Sequence, residues 1–291
     1  MQVLDYLSAG SVKEVVDLLS SKDRRARILC GGTDLLVQLR ENRRRAELLI
    51  DVKNIPEITS INYDDQSGLW LGAAASCYAI CHNRFVLENY PGLVDAIHLI
   101  GGMQIQYRAS VGGNLCNASP AADSIPALIV HKAGCIIVGS KGTREIPVEQ
   151  FCIAPGENVL QSGEFLLAIT VPVLKENFGA HYLRFIPRNE MDIAVVGAGA
   201  SVTLDGAKQR ILSARIALAA VAPTPLFVEE AGTFLAGKEM TEENIREAGR
   251  IAQATARPIS DLRGTVEYRK HLCAVLTRRA LEKAVERARV L

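Results

Sequence analysis

Two glycine-rich segments about eighty residues apart constrain the fold of this chain more than any other feature of its sequence. Residues 31–36 read Gly-Gly-Thr-Asp-Leu-Leu, and residues 112–123 begin with Gly-Gly-Asn and end in an aspartate. Glycine permits positive φ angles and close backbone approach, so successive N–H groups can point at one anion. Both segments are therefore candidate binding sites for a phosphate or pyrophosphate.

The residues around the first segment predict a compact strand–turn–helix–strand unit. Ser11 begins a capping box that opens a helix ending at about Leu19. Residues 27–30 and 48–52 are typical of short buried strands, and residues 35–41 are typical of a short helix. We therefore expect the first glycine segment at the amino end of a helix, where free N–H groups favour an anion.

The middle of the chain predicts alternating short elements. A strand is expected at 68–73, helices at 76–87 and 92–100, and further strands between 134 and 172. Glycines and polar residues dominate 101–119, which predicts a long loop. A further helix is expected from about Asp123 to Gly134.

Residues 172–179 indicate a domain boundary, because a proline is followed by a polar stretch. Beyond it, two long strand patterns at 193–204 and 210–221 flank Asp205-Gly206, a hairpin signal. Helices are expected at 241–256 and 265–290, each following a threonine at its N-cap. The C-terminal part is therefore predicted to be an α+β unit, an antiparallel sheet backed by helices.

The glycines also allow two other interpretations, a tight turn and a Rossmann unit. Each segment alone is compatible with a tight turn, with Thr33 and Asp123 capping helices. Asp51 follows Gly31 by twenty positions, as in a dinucleotide-binding Rossmann unit, but the third glycine of that fingerprint is missing. The Gly197-Ala198-Gly199 tripeptide is expected inside a hairpin, not before a helix.

Composition and cysteine spacing exclude several classes of function. The formal net charge of +1 argues against a nucleic-acid or membrane-surface role, and no apolar run reaches the ~20 residues of a membrane span. No signal peptide is recognisable, so we expect a cytoplasmic protein. Only Cys77 and Cys81 lie close together, too few for a zinc or iron–sulfur site, and we expect no bound metal. No nucleophile elbow occurs, which suits a protein that positions a redox cofactor.

Two arginine runs stand out, at positions 24, 25 and 27 and at positions 43–45. Such runs are usually solvated edges of a domain. The alternative is a docking surface for an acidic partner.

Four stretches in combination resemble the medium, FAD-binding subunit of the xanthine dehydrogenase and aerobic carbon monoxide dehydrogenase family. They are residues 29–36 (LCGGTDLL), 110–126 (SVGGNLCNASPAADSIP), 188–194 (RNEMDIA) and 219–225 (AAVAPTP). The likeness runs from about residue 3 to the end of the chain without large insertions.

The resemblance implies an α+β protein with the two-part FAD-binding module of the vanillyl-alcohol oxidase type. That module would occupy residues 1–175, as subdomains of about 1–55 and 56–175. An α+β domain, an antiparallel sheet with helices, would follow at 176–291.

The resemblance also implies FAD as the cofactor and assigns residues to it. Backbone amides of the first segment would hold the pyrophosphate, and Asp123 would bond toward the ribityl or ribose hydroxyls. Asp192 and Ile193 would lie near the isoalloxazine, and Arg184 stands where many relatives have lysine. The full predicted set is Gly31, Gly32, Thr33, Asp34, Leu35, Ser110, Gly113, Asn114, Ser119, Asp123, Arg184, Asp192 and Ile193.

The sequence departs from the family at one point near the second segment. Relatives commonly have Arg-Asn where this chain has Gln106-Tyr107, which puts the arginine's usual contact in doubt. Arg108 is the candidate replacement. The cysteine-rich insertion of relatives with an additional iron–sulfur cluster in this subunit is missing here, so no such cluster is expected.

By resemblance, the chain is expected to transfer electrons and to contain no catalytic residue for hydroxylation. Electrons would arrive from an iron–sulfur subunit, pass through FAD and leave to NAD, a quinone or oxygen. A molybdopterin-binding subunit of the same complex would hydroxylate the substrate. The alternatives are a self-sufficient FAD oxidoreductase of the same fold and a non-catalytic interaction subunit with a degenerate flavin site.

Overall fold

The computed structural model describes residues 4–21, 24–188 and 191–290. A three-stranded parallel sheet in the order β1-β3-β2 forms the first unit. Its elements are β1 (Asp5–Ser8), α1 (Val12–Ser20), β2 (Ala26–Leu29), α2 (Leu35–Arg40), β3 (Leu48–Asp51) and α3 (Pro56–Thr59). The predicted capping box is present, since Ser11 Oγ accepts a hydrogen bond from the Glu14 N–H at 3.2 Å. Sequence patterns did not predict β1, whose four residues include no buried one.

A five-stranded antiparallel sheet, ordered β4-β5-β10-β6-β7, forms the second unit, and a β8–β9 ribbon and a 3₁₀ turn (Val148–Gln150) lie beside it. Its strands are β4 (Ile61–Asp64), β5 (Gly68–Gly72), β6 (Gly134–Gly139), β7 (Gly142–Pro147), β8 (Cys152–Ala154), β9 (Glu157–Asn158) and β10 (Phe165–Val171). Its helices are α4 (Cys77–Cys81), α5 (Arg84–Asn89), α6 (Pro91–Ile97), α7 (Met103–Gln106), α8 (Val111–Cys116) and α9 (Ser124–Val130).

Two predictions for this unit are wrong. The single helix expected at 76–87 is two helices, because Asn83 Oδ1 accepts the Val86 N–H at 3.1 Å and caps a new helix there. The long loop expected at 101–119 contains α7 and α8. Glycine disfavours helix by about 1 kcal/mol per residue, but a short, packed and capped helix tolerates it.

The C-terminal unit is a four-stranded antiparallel sheet, ordered β11-β12-β13-β14, covered by helices. Its elements are β11 (Phe178–Phe185), β12 (Val196–Leu204), β13 (Ile211–Ala219), β14 (Leu226–Phe227), α10 (Glu229–Leu235), α11 (Glu242–Thr255) and α12 (Val266–Val290). All nine residues of β12 are buried, because α12 and α9 both pack on this strand. The predicted α+β architecture and the hairpin at Asp205-Gly206 are confirmed. The first hairpin strand begins at Val196 rather than at residue 193.

Among the described residues, no helix combines the length and apolar character that crossing a membrane requires. No group of three or more His, Cys, Asp or Glu side chains in that part of the chain is arranged to hold a metal ion.

Candidate functional site

One cavity of about 1060 Å³ is lined by both glycine segments. The first segment touches the chain just before the second one, at Arg108 and Ala109. A Cβ placed on Gly31 would lie 2.0 Å from the carbonyl oxygen of Arg108, so only glycine allows this backbone contact. The predicted residues that line the cavity are Gly31, Gly32, Thr33, Asp34, Leu35, Ser110, Gly113 and Asn114.

The first segment presents a run of free donors to this cavity. None of the backbone N–H groups of residues 31–35 has an acceptor among the described residues, whereas the Leu36 N–H already bonds to the Gly32 carbonyl at 3.1 Å. Gly32 has a φ of 75°, which turns the chain from β2 into α2. Five successive amides at a helix start are suited to a pyrophosphate.

Neither of the two helix caps considered from sequence uses the expected side chain. Asp34, not Thr33, occupies the N-cap of α2, and its side chain makes no capping bond. Asp123 occupies the N-cap of α9, again without a capping bond. Helix capping therefore does not explain the presence of a carboxylate at Asp34 or at Asp123.

The second segment is the start of α8 rather than a loop. Ser110 caps this helix, accepting the Gly113 N–H on its Oγ at 3.1 Å. Gly112 serves close packing, since a Cβ there would lie 2.4 Å from the carbonyl oxygen of Ala73. The two glycines thus have different roles: Gly112 brings α8 against the sheet and Gly113 lines the cavity.

Side chains that the sequence did not single out join the two halves of the cavity wall. Gln38 in α2 donates from Nε2 to Asn117 Oδ1 at 3.0 Å, just beyond α8. Asn158 donates to the Cys116 carbonyl at 2.8 Å, which holds β9 against the same helix. Asn114 accepts a bond from Ser124 Oγ at 2.6 Å. The two Asn residues of the 110–126 stretch were visible in the sequence, but their partners were not.

Asp123, the last residue of the second segment, lies in a buried cluster and does not line the cavity. It is 6% exposed, and its two oxygens accept bonds from the Tyr182 hydroxyl at 2.7 Å and from Arg184 at 2.5 Å. Burial raises the pKa of this carboxyl to about 6, against the lowering effect of Arg184 and Tyr182. Asp123 therefore remains mostly ionised at neutral pH and joins the FAD-binding part to β11. Ser119 lies in the turn before it, where its Oγ accepts the Ala121 N–H.

The structure does not bring Asp192 and Ile193 to the cavity. Asp192 accepts bonds from Arg188 Nε at 3.1 Å and from the Ile193 N–H at 2.8 Å, and Ile193 is 53% exposed. Residues 189–190 of the stretch that resembled the family lie outside the described residues. Met191 lies against Gly102, near the start of α7.

Comparison with known families agrees with this architecture. Residues 2–174 match the family described as "FAD binding domain in molybdopterin dehydrogenase". Residues 181–284 match the "CO dehydrogenase flavoprotein C-terminal domain". Together the two matches cover nearly the whole chain.

Similar proteins were found among characterised sequences and solved structures. The carbon monoxide dehydrogenase medium chain of Afipia carboxidovorans is 31% identical over 286 residues, 98% of each chain. The xanthine dehydrogenase FAD-binding subunit of Escherichia coli O157:H7 is 28% identical over 284 residues, 97% of this chain and 96% of the relative. A chain of reconstituted CO dehydrogenase from Oligotropha carboxidovorans superposes with a TM-score of 0.92 at 30% identity, covering 98% of this chain and 99% of that one.

These matches confirm the resemblance, the mixed fold and the cofactor expected from sequence. The free amides and the glycine contact give FAD a site that the residues present can form. The chain belongs to the family of FAD-binding medium subunits of xanthine and carbon monoxide dehydrogenases, oxidoreductase flavoproteins whose cofactor is FAD.

Proposed function

We propose that this chain passes electrons from an iron–sulfur subunit, through FAD, to an external acceptor: NAD, a quinone or oxygen. The partners would be an iron–sulfur subunit and a molybdopterin-binding subunit of one complex. Support comes from relatives named as a medium chain of carbon monoxide dehydrogenase and an FAD-binding subunit of xanthine dehydrogenase. FAD, when bound, supplies the redox chemistry, and the protein supplies binding and orientation.

The observation that carries the proposal is the run of five free amides at residues 31–35, facing the cavity beside α8. We assign the pyrophosphate to these amides, and we assign Ser110, Gly113 and Asn114, which line the same cavity, to the FAD as well. Asp123 with Arg184, and Asp192 with Ile193, remain proposed cofactor residues. Ser119 stays in the set as part of the turn that leads to Asp123.

A thiol in the wall of the cavity is unsuited to covalent chemistry. Burial raises the pKa of Cys30, which lines the cavity, to about 11, so it is protonated at neutral pH. This favours a chain that positions a redox group over one that forms covalent intermediates. All seven cysteines are free thiols, which supports our proposal of a cytoplasmic location.

The test is direct observation of electron flow in the assembled complex. The three subunits would be produced together, and the iron–sulfur clusters reduced anaerobically with limiting dithionite. We expect the flavin absorbance to bleach after the clusters are reduced, and to recover when one of NAD, a quinone or oxygen is added. A complex with Gly206→Ala, a change in a remote hairpin with no atom within 4 Å of the added Cβ, serves as the control.

Three results would contradict the proposal. A flavin that stays oxidised beside reduced clusters would show that electrons do not reach it by this route. Turnover of an organic substrate by the isolated, FAD-loaded chain would instead favour the self-sufficient oxidoreductase. An isolated chain without flavin absorbance after incubation with FAD would favour the non-catalytic subunit.

A further inference from the structure

Arginines from both runs of the sequence line the FAD cavity. Arg25 and Arg27, at the start of β2, line the cavity together with Arg44, which follows α2. Arg27 precedes Gly31 by four residues, which is about 13 Å along an extended strand. The arginines therefore lie well away from the amides to which we assign the pyrophosphate.

Arg27 is only partly exposed, and its Nε is shielded from solvent without a hydrogen-bond partner among the described residues. Burial, followed by the charges of Arg44 and Arg25, lowers the pKa of its guanidinium. Three arginine charges that line the same cavity therefore lie close enough to act on one another. Such a cluster is costly unless an anion compensates for it.

Among the described residues, an ion pair accounts for one of the four arginines that line the cavity. Arg24 pairs with Asp5, but in the described part of the chain none of the other three arginines forms an ion pair. The Arg44 guanidinium donates to a neutral acceptor, the Gly156 carbonyl, at 3.3 Å. Glu47 also lines the cavity, and its carboxylate accepts a bond from the backbone N–H of Arg25 rather than from a guanidinium.

We propose that Arg25, Arg27 and Arg44 form a second anion site at the far end of the FAD cavity, which binds a phosphate group of a ligand other than the resident FAD. Guanidinium groups bind phosphate oxygens through paired, charge-assisted hydrogen bonds. An opening onto solvent allows exchange of this ligand. Binding of a phosphate group at this site does not require that electrons pass through FAD in the proposed direction.

The test uses FAD-saturated protein and titration calorimetry at low salt, with inorganic pyrophosphate and ADP as separate probes. We expect one saturable site per chain. Arg27→Gln and Arg44→Gln should each weaken binding by about 10- to 100-fold, the effect of losing a hydrogen bond between charged groups. Arg45→Gln is the matched control, because this neighbour is exposed and does not line the cavity, and it should change affinity less than about twofold. Tighter binding of ADP identifies a nucleotide as the ligand class, and equal binding identifies a free phosphate.

Three results would overturn the proposal. The first is the absence of saturable binding to the FAD-saturated wild-type protein. Another is equal loss of affinity in the Arg45 control, which would indicate only general charge attraction. The third is binding that appears only after FAD is removed, which would make these arginines part of the FAD site. If Arg27→Gln does not fold, as judged by its melting temperature, Arg25→Gln at an exposed position replaces it.

Discussion

At Gly31 the lack of a side chain decides whether two segments far apart in sequence can touch. A Cβ at this position would approach Arg108 O to 2.0 Å and Ala109 Cα to 2.9 Å, both in the backbone. Backbone atoms cannot move aside as a flexible side chain can, so the contact itself would open. At Gly113 the nearest atom to an added Cβ is Ser110 Oγ, at 2.9 Å, a side-chain atom that can shift slightly without opening a backbone contact.

We therefore predict that Gly31→Ala lowers FAD retention by about tenfold or more, with a loss of stability of ~1–3 kcal/mol. Gly113→Ala should have a clearly smaller effect on both quantities. The ratio of flavin to protein absorbance after dialysis and the melting temperature measure them, with Gly206→Ala as the control. Full FAD retention by Gly31→Ala would show that the glycine contact does not shape the site.

The C-terminal end of helix α9 is held by hydrogen bonds from another unit of the chain. A helix leaves its last carbonyl groups without partners inside the helix. In α9 the Ile129 carbonyl accepts Arg215 Nε at 2.9 Å, and the Val130 carbonyl accepts Ser201 Oγ at 2.7 Å. Both donors come from the C-terminal sheet, so these bonds attach the helix after Asp123 to β12 and β13.

Ser201→Ala should therefore destabilise the protein by ~1–3 kcal/mol, because the Val130 carbonyl would lose its buried donor. Ser213→Ala, on the exposed part of β13, is the matched control and should change stability by less than about 0.5 kcal/mol. Denaturant unfolding monitored by circular dichroism gives both values. Equal effects of the two changes would mean that this bond does not stabilise the contact between the units.

Across the whole molecule, contacts between the FAD-binding part and the C-terminal part include titratable groups. Asp95 in α6 accepts bonds from His181 Nδ1 at 2.5 Å and from Arg287 at 2.5 and 3.0 Å. Burial raises the pKa of the Asp95 carboxyl, but these bonds outweigh it and leave the pKa below its ordinary value. The nearby His131 is 2% exposed, and burial lowers its pKa to about 4, although Nδ1 bonds to the Ala127 carbonyl.

The lowered pKa of His131 predicts acid sensitivity of the fold. Unfolded chains bind a proton at this histidine below about pH 6.5, whereas the folded protein resists doing so until about pH 4. Its contribution to stability is thus present above pH 6.5 and is lost as the pH falls toward 4, by about 3 kcal/mol.

Denaturant unfolding of the wild type and of His131→Gln at pH 7, 5.5 and 4 tests this prediction. We expect the free energy of unfolding to fall more steeply with acid in the wild type than in the variant, which keeps a hydrogen-bond donor but does not titrate there. Parallel pH profiles of the two proteins would contradict it.

The sequence by itself determined which local elements form near the first glycine segment and which family the chain belongs to. Capping boxes, apolar periodicity and hairpin turns depend on residues a few positions apart, so they predicted α1, α2 and the β12–β13 hairpin. Local patterns failed at α8, where Ser110 and packing on Ala73 override the low helix propensity of two glycines.

Only the tertiary structure decided which distant residues meet. The burial of Asp123 against Tyr182 and Arg184 depends on how the units pack, and so does the meeting of arginines from both runs in one cavity. Charges and hydrogen-bond partners separated by tens of residues leave no periodic pattern in the sequence. Their pairing is fixed by the packing of α9 on the C-terminal sheet and of α2 beside β2, which only the folded chain specifies.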